Sequence, residues 1–192
     1  MTNLAIIGHG GFAREVECWA KDRYYCNFYV EDKYAGGGAL PLSLFDPNNS
    51  RAIVAIGDPN TRRRIVDTMP KETIWATLIH PSVVITDHET VLIMKGSIVC
   101  AGTVLTTNIT IDQHSHLNLN TTVGHDCRIG KFFTSAPGVN ISGNVTTGNN
   151  VYIGTNASIR EKVTITGNTT IGMGAVVLND IKEPGTYVGL VK

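Results

Sequence analysis

A repeat of six residues runs through the second half of this 192-residue chain, from Val91 to about Asp180. Fifteen consecutive units keep one register, and one position of the unit is aliphatic in all but two of them. These positions are Ile93, Val99, Leu105, Ile111, Leu117, Val123, Ile129, Ser135, Ile141, Thr147, Ile153, Ile159, Ile165, Ile171 and Val177. An α-helix repeats about every 3.6 residues and a strand about every 2, so neither accounts for this period. The repeat predicts one inward-pointing side chain per unit.

A second position, three residues after the aliphatic one, is Gly, Asn or Asp in twelve of the fifteen units. The column contains Gly96, Gly102, Asn108, His114, Asn120, Asp126, Phe132, Gly138, Asn144, Asn150, Asn156, Lys162, Asn168, Gly174 and Asp180. Gly, Asn and Asp enter the left-handed backbone region at low cost, so we expect the chain to turn a corner in every unit. Hexapeptide periodicity with such corners is typical of a β-helix. With three units to a coil, the repeat predicts a parallel β-helix of about five coils.

The residues before the repeat alternate short apolar strands with helices. Strands are predicted at residues 4–7, 28–30, 52–57 and 74–79, and helices follow the first and the third of them. Repeated strand–turn–helix units predict a parallel sheet. We therefore expect a small α/β domain over residues 1–82, followed by a β-helix domain over residues 83–192.

A glycine-rich turn follows the first predicted strand. It has the spacing Gly8-x-Gly10-x-x-Ala13, and Glu31 and Asp32 come about twenty residues later, as in a dinucleotide-binding fingerprint. A full dinucleotide site needs two such halves, and only one Rossmann-like half fits before the repeat. The turn therefore predicts a site for a nucleoside diphosphate with a group attached, held by backbone N–H groups at a helix N-terminus. The alternative is that the glycines form only a tight turn.

Candidate catalytic residues are outward-pointing side chains of the repeat. His125 lies two residues after the aliphatic Val123, and Asp126 follows it. An imidazole is suited to accept a proton near neutral pH, and a carboxylate can fix its tautomer. Asp126 also falls in the corner column, where a purely structural interpretation is equally open. His114 and His116 could instead join His125 in a zinc-binding cluster.

Composition excludes several classes of partner. The net charge is zero, with no basic patch, so we expect no nucleic-acid partner. No apolar run is long enough to span a bilayer, and the chain enters a strand without a cleavable leader. The four cysteines, Cys18, Cys26, Cys100 and Cys127, show no paired spacing. We expect free thiols, no membrane partner and a cytoplasmic location.

Several short motifs together resemble a known family. The sequence at residues 120–130, Asn-Thr-Thr-Val-Gly-His-Asp-Cys-Arg-Ile-Gly, and Ala-Pro-Gly-Val at 136–139 resemble the active-site segment of the hexapeptide-repeat acetyltransferases that act on amino sugars and sialic acid. They are most similar to the branch that N-acetylates nucleotide-linked 4-amino sugars. Motifs at residues 6–11, 56–58 with Arg62, 79–82 and 172–177 extend the resemblance over nearly the whole chain.

The resemblance implies a left-handed β-helix, a homotrimer and acetyl-CoA lying in the groove between adjacent β-helices, with no metal. It implies direct acetyl transfer to the 4-amino group of a nucleotide-linked amino-dideoxy sugar, with a UDP-linked sugar favoured. His125 would be the general base and Asp126 its orienting acid. The nucleotide-sugar would be held by Gly8, His9, Gly10, Gly11, Asp32, Gly57 and Arg62, and the CoA by Gly143, Gly154, Gly172 and Met173.

Two departures and three alternatives accompany this expectation. Relatives commonly have a second His nine residues after the catalytic one, where this chain has Thr134. The usual Gly-Val-Pro-Ala-Lys ending is replaced by Gly189-Leu190-Val191-Lys192, which bears on the contacts of the CoA adenine end. A sialic acid O-acetyltransferase would share the whole scaffold. A β-helix carbonic anhydrase would use the three histidines as zinc ligands. A non-catalytic assembly module would need neither the glycine-rich turn nor the His125–Asp126 pair.

Overall fold

The computed structural model describes all residues, Met1–Lys192, and divides into two compact units, Met1–Leu78 and Ile79–Lys192. The sequence predicts a boundary slightly later, after residue 82. Each unit buries its own cluster of apolar side chains.

The first unit is a small α/β fold. Its elements are β1 (Thr2–Ile7), α1 (Gly11–Ala20), β2 (Tyr24–Val30), β3 (Ala39–Pro41), β4 (Arg51–Val54) and α2 (Pro59–Thr68), with short 3-10 helices at Asp32–Tyr34 and Leu42–Leu44. The four strands form one parallel sheet in the order β3-β2-β1-β4. The central strand β1 is apolar and fully buried from Leu4 to Ile7, as expected for a parallel strand covered on both faces. Neither helix of the chain is long and apolar enough to cross a membrane.

The strand predicted at residues 74–79 is divided in the structure. Trp75 makes an isolated parallel bridge to Ala52 of β4, whereas Leu78–Ile79 forms β5, the first strand of a β-helix sheet. A β-helix strand needs only two paired residues, so one apolar run is long enough to end one sheet and begin another. The prediction of a single strand was therefore wrong.

The second unit is built from strands of two or three residues. They are β5 (Leu78–Ile79), β6 (Val84–Ile85), β7 (Val91–Ile93), β8 (Ile98–Val99), β9 (Val104–Leu105), β10 (Ile109–Ile111), β11 (His116–Leu117), β12 (Thr122–Val123), β13 (Arg128–Ile129), β14 (Thr134–Ser135), β15 (Asn140–Ile141), β16 (Thr146–Thr147), β17 (Tyr152–Ile153), β18 (Ser158–Ile159), β19 (Thr164–Ile165), β20 (Thr170–Ile171), β21 (Val176–Val177), β22 (Thr186–Tyr187) and β23 (Leu190–Val191).

These strands stack into three parallel sheets. Sheet I has the order β7-β10-β13-β16-β19, sheet II β5-β8-β11-β14-β17-β20-β22, and sheet III β6-β9-β12-β15-β18-β21-β23. The predicted left-handed parallel β-helix is confirmed, and the aliphatic column forms its core. The fold extends beyond the repeat at both ends, because β5 and β6 precede Val91 while β22 and β23 follow Asp180.

The corners carry the predicted left-handed backbone. Corner I–II, between sheets I and II, holds Gly96, His114, Phe132, Asn150 and Asn168; corner II–III holds Gly102, Asn120, Gly138, Asn156 and Gly174; corner III–I holds Asn108, Asp126, Asn144, Lys162 and Asp180. Every one of these residues except Asp180 has a positive φ. His114 and Phe132 adopt it too, at φ 58° and 56°, and their rings stack with centroids 5.3 Å apart. Position in the coil therefore overrides residue preference at these corners.

Candidate active site

The His125 imidazole stands at corner III–I, immediately after β12. Its Nδ1 lies 2.7 Å from Oδ2 of Asp126, and both side chains are exposed, at 58% and 42%. Because a carboxylate can only accept this hydrogen bond, Nδ1 carries the proton. The lone pair of Nε2 is then available to accept a proton from a bound substrate.

Asp126 serves both the backbone and the histidine. Its φ is 62°, so it turns the corner, while Oδ2 accepts from His125 and Oδ1 accepts from Nδ2 of Asn108 at 2.5 Å. These two hydrogen bonds hold the pKa of the Asp126 carboxyl below its usual range, with the His125 bond the larger cause. The two interpretations that the sequence left open for Asp126 are therefore compatible, since one residue meets both requirements.

Gly143 lies one coil beyond His125. A Cβ atom built on Gly143 would be 2.6 Å from Nε2 of His125 and 2.7 Å from Cε1, so the imidazole occupies the space that a side chain would fill. The Gly143 carbonyl accepts from the N–H of Lys162 at 2.9 Å, whereas the Gly143 N–H makes no hydrogen bond within the protein. The exposed proton acceptor of His125 and the unused backbone donor of Gly143, a residue buried beneath the imidazole, thus share one corner, which suits acyl transfer.

The other predicted CoA residues lie on a different corner. Gly154, Gly172 and Met173 belong to corner II–III, so within one chain a strand of sheet III separates them from corner III–I. The N–H groups of Gly154 and Gly172 donate to the next coil, at 2.8 Å and 2.7 Å, and Gly154 lets Met173 N approach closely. These glycines therefore permit close stacking of coils, while the Met173 side chain is exposed.

The three histidines considered as zinc ligands do not form a cluster. His114 is buried at corner I–II and His116 is buried on sheet II, whereas His125 is exposed at corner III–I. No group of three His, Cys, Asp or Glu side chains anywhere in the chain is arranged to hold a metal. Thr134 is buried beside His116, its register partner on sheet II. The structure therefore gives the zinc alternative no ligand set.

The first unit contains a cavity of about 520 Å³ at the carboxyl ends of its parallel strands. Five of the seven predicted nucleotide-sugar residues line it, namely Gly8, His9, Gly10, Gly11 and Gly57. The His9 ring packs against Phe28, with centroids 4.8 Å apart. Glu31, Tyr34 and Thr61 also line the cavity, and no sequence pattern had pointed to Tyr34 or Thr61.

The glycines of this turn serve different purposes: Gly8 is required by the backbone, whereas Gly10 and Gly11 leave open space. Gly8 has φ +122°, and an added Cβ would lie 3.0 Å from the Ala55 carbonyl oxygen, so the fold itself requires Gly8. Gly10 and Gly11 have no positive φ, and an added Cβ would meet nothing within 4 Å. Gly10 is the N-cap of α1, and no side chain caps that helix. The open space at Gly10 and Gly11 therefore leaves the first N–H groups of α1 accessible to a phosphate.

Arg62 and Asp32 are placed differently from the other predicted ligands. Arg62 is fully buried and donates from Nη1 to the carbonyl oxygens of Ile56, at 2.6 Å, and Gly57, at 3.2 Å. Burial lowers its pKa to about 9, and the Asp58 carboxylate opposes this shift. Asp32 does not line the cavity.

The Asp32 carboxylate is engaged within the fold. Its Oδ1 accepts the Ser43 N–H at 3.0 Å, and this interaction holds the pKa of Asp32 below its usual range. Asp32, together with Ser43 and Met69, lines a second hollow of the first unit. Arg62 and Asp32 thus hold the loops around the site, and neither side chain lines the cavity.

Comparison with known proteins gives three main findings. The family model described as the PglD N-terminal domain matches residues 3–69. A curated relative, GDP-perosamine N-acetyltransferase of Escherichia coli O157:H7, is 29% identical over 164 residues, which span 76% of this chain and 72% of the relative. The acetyltransferase domain of PglB from Neisseria gonorrhoeae FA1090 superposes with a TM-score of 0.89 at 29% identity, covering 98% of this chain and 97% of that domain. Along nearly its whole length the chain is similar to hexapeptide-repeat sugar acetyltransferases.

A further solved relative extends this family likeness to bound ligands. PerB from Caulobacter crescentus, in complex with CoA and GDP-perosamine, matches with a TM-score of 0.88 at 26% identity, covering 98% of this chain and 95% of that one. The resemblance and the acetyl-CoA-dependent acetyltransferase activity predicted from sequence are confirmed.

Proposed function

We propose that this protein transfers the acetyl group of acetyl-CoA to the 4-amino group of a nucleoside-diphosphate-linked amino-dideoxy sugar. The observation that carries this proposal is the exposed His125–Asp126 pair, whose imidazole covers the buried Gly143 and its unused N–H. The neutral amine attacks the thioester carbonyl, a C–N bond forms, and the C–S bond breaks to release the CoA thiolate. His125 Nε2 takes the proton from the amine and passes it to the thiolate, while the Gly143 N–H stabilises the oxyanion.

The cavity of the first unit supports a nucleoside diphosphate as the carrier of the sugar. It combines the accessible N-terminus of α1 with the glycine turn that leaves room for a diphosphate. The Escherichia coli relative is named for GDP-perosamine, and PerB was solved with GDP-perosamine bound, so a GDP-linked sugar stands beside the UDP-linked one favoured from sequence.

A basic hollow on corner III–I supports a site for the phosphates of CoA. Arg160, Lys162 and Lys182 line a hollow of about 410 Å³ together with Asn179 and Asp180. Lys162 follows Asp126 by two coils, or about 10 Å at roughly 4.8 Å per coil. The acetyl group at His125 and the phosphates at the hollow would then lie along one corner, with pantetheine between them.

A homotrimer would resolve the separation between the two sets of CoA residues. Gly143 shares corner III–I with His125, whereas Gly154, Gly172 and Met173 lie on corner II–III. One ligand can contact both corners if adjacent copies of the chain pack corner to corner. We propose that assembly, and a cytoplasmic location in keeping with four cysteines that form no disulfide.

The decisive experiment measures thiol release from acetyl-CoA by the purified protein. The panel contains UDP- and GDP-linked 4-amino-dideoxy sugars, the matching 4-hydroxy sugars as controls, and free sialic acid. We expect release with a 4-amino sugar and none with its 4-hydroxy counterpart, and mass spectrometry should place the acetyl group on nitrogen. Turnover of sialic acid alone would establish the O-acetyltransferase alternative, and no turnover across the panel would reject the proposal.

A further inference from the structure

A chain of hydrogen bonds runs from His125 along the exposed corner III–I toward the N-terminal end of the β-helix. Asp126 accepts from His125 through Oδ2 and from Asn108 through Oδ1, so its carboxylate is held at both oxygens. The contact with Asn108 must come from its Nδ2, because two oxygens would repel each other. The Asn108 amide thus limits rotation of the carboxylate that orients the imidazole.

Asn108 is itself held in place from the preceding coil. Its backbone N–H donates to Oγ1 of Thr90 at 2.8 Å, and Thr90 Oγ1 donates to Oδ2 of Asp87 at 2.6 Å. Thr107 Oγ1 donates to the same carboxylate oxygen at 2.9 Å. Thr107 also accepts the Asp126 N–H through its carbonyl oxygen at 3.1 Å. Asn108 is therefore held at two points: its backbone N–H donates to Thr90, and its side-chain amide donates to Asp126.

Coil register explains this arrangement. Thr90, Asn108 and Asp126 occupy one corner column at successive intervals of 18 residues. Asn108 and Asp126 both have positive φ, at 52° and 62°, so their side chains leave the corner in the same direction and meet. The same contact recurs at corner I–II, where Nδ2 of Asn150 donates to Oδ1 of Asn168 at 3.0 Å. That second pair is remote from any catalytic group.

We infer that Asn108 is a positioning residue for the reaction, acting through Asp126 to hold His125 in the tautomer and orientation that general-base catalysis needs. The inference rests on the proposed function, since it assumes that His125 is the base. Its physical basis is the carboxylate held at both oxygens: without Asn108, Asp126 can rotate, and the imidazole samples orientations in which Nε2 misses the substrate amine.

The test compares two matched substitutions in the full-length protein. Asn108→Gly removes the amide while keeping a residue that favours positive φ, and Asn150→Gly does the same to the equivalent pair at corner I–II. We expect Asn108→Gly to lower kcat by about tenfold, with the KM for acetyl-CoA and for the amino sugar near wild type. Asn150→Gly should leave kcat at the wild-type value. Asn108→Asp, which keeps the size but replaces the donor by a second carboxylate, should lose at least as much.

A double-mutant cycle separates this inference from the proposed function. In a His125→Ala background the Asn108→Gly change should have no further effect on kcat, because the residue it positions is absent. A multiplicative further loss there, or a wild-type kcat for Asn108→Gly alone, would overturn the inference while leaving His125 as the base. A wild-type kcat for His125→Ala would instead reject the proposed function of His125. Thermal unfolding of both glycine variants identifies any loss that comes from instability.

Discussion

The two units of this chain position functional groups by different means. In the β-helix, the neighbours of His125 come from fixed offsets: Gly143 is one coil beyond it, and Asn108 is one coil before Asp126. In the α/β unit, the cavity collects loops from separate strands, so its walls at His9, Tyr34 and Thr61 have no common period. The neighbours in the β-helix site can be predicted from the 18-residue length of a coil. The lining of the α/β cavity depends instead on how distant segments pack.

Glycine also has different roles in the two units. In the β-helix, Gly143 leaves space for a catalytic side chain from the neighbouring coil. In the α/β unit, Gly8 satisfies the backbone, while Gly10 leaves space beside a helix N-terminus. Substitutions at these positions should therefore damage chemistry, folding and substrate binding, respectively.

The largest expected effect comes from removing the base. His125→Ala should lower kcat by at least roughly 10²-fold, because it removes the imidazole that takes the proton from the amine. The KM for acetyl-CoA should stay near wild type, since the imidazole acts in the transition state. Steady-state thiol release measures both constants, and circular dichroism checks the fold. An unchanged kcat would remove His125 from the proposed role.

A smaller effect should follow from filling the space beneath the imidazole. Gly143→Ala places a Cβ where Nε2 of His125 now lies, at 2.6 Å, so the ring must move. We expect kcat to fall by about tenfold as the base leaves its attack geometry. Gly185→Ala is the matched control, because its added Cβ would meet nothing closer than 3.5 Å. Equal kcat values for the two variants would show that the position of the ring is not critical.

Sequence could predict most of the β-helix because every level of its structure repeats. The aliphatic column gave the core, and the corner column gave the positive φ values, including the unfavourable ones at His114 and Phe132. Asn108 was placed at a corner but not in the site. Counting 18 residues back from Asp126 would have found it, because stacked corners contact each other.

The α/β unit was predictable in its elements but not in its contacts. The first strand, the first helix and the glycine turn follow from local pattern. Nothing local links Asp32 to the Ser43 N–H, or turns Arg62 towards the carbonyl oxygens of Ile56 and Gly57. These contacts depend on how distant segments pack, so the internal hydrogen bonds of Asp32 and Arg62 could not be predicted, and their predicted ligand roles stay predictions.

The glycine turn of the α/β unit offers a stability comparison. Gly8→Ala should destabilise the protein by about 1–3 kcal/mol, because alanine is strained at φ +122° and its Cβ lies close to Ala55. Gly10→Ala should leave stability within about 0.5 kcal/mol of wild type but raise the KM for the nucleotide-sugar several-fold, since the methyl group narrows the approach to α1. Urea denaturation and steady-state kinetics measure the two effects. If Gly10→Ala lowered stability and Gly8→Ala only raised the KM, the division between a structural Gly8 and a ligand-facing Gly10 would be wrong.

The smallest expected effect concerns Lys162, where we expect one substitution to increase stability but to weaken binding of acetyl-CoA. Lysine at φ 65° costs stability that asparagine avoids, so Lys162→Asn should raise the free energy of unfolding by up to about 1 kcal/mol. The same change removes a cation from the basic hollow, and we expect the KM for acetyl-CoA to rise about threefold, with a weaker dependence on salt. Lys131→Asn, at an exposed position outside that hollow, is the control and should change neither quantity. If Lys162→Asn raises stability without changing the KM, Lys162 does not bind the CoA phosphates. The CoA would then lie along corner II–III.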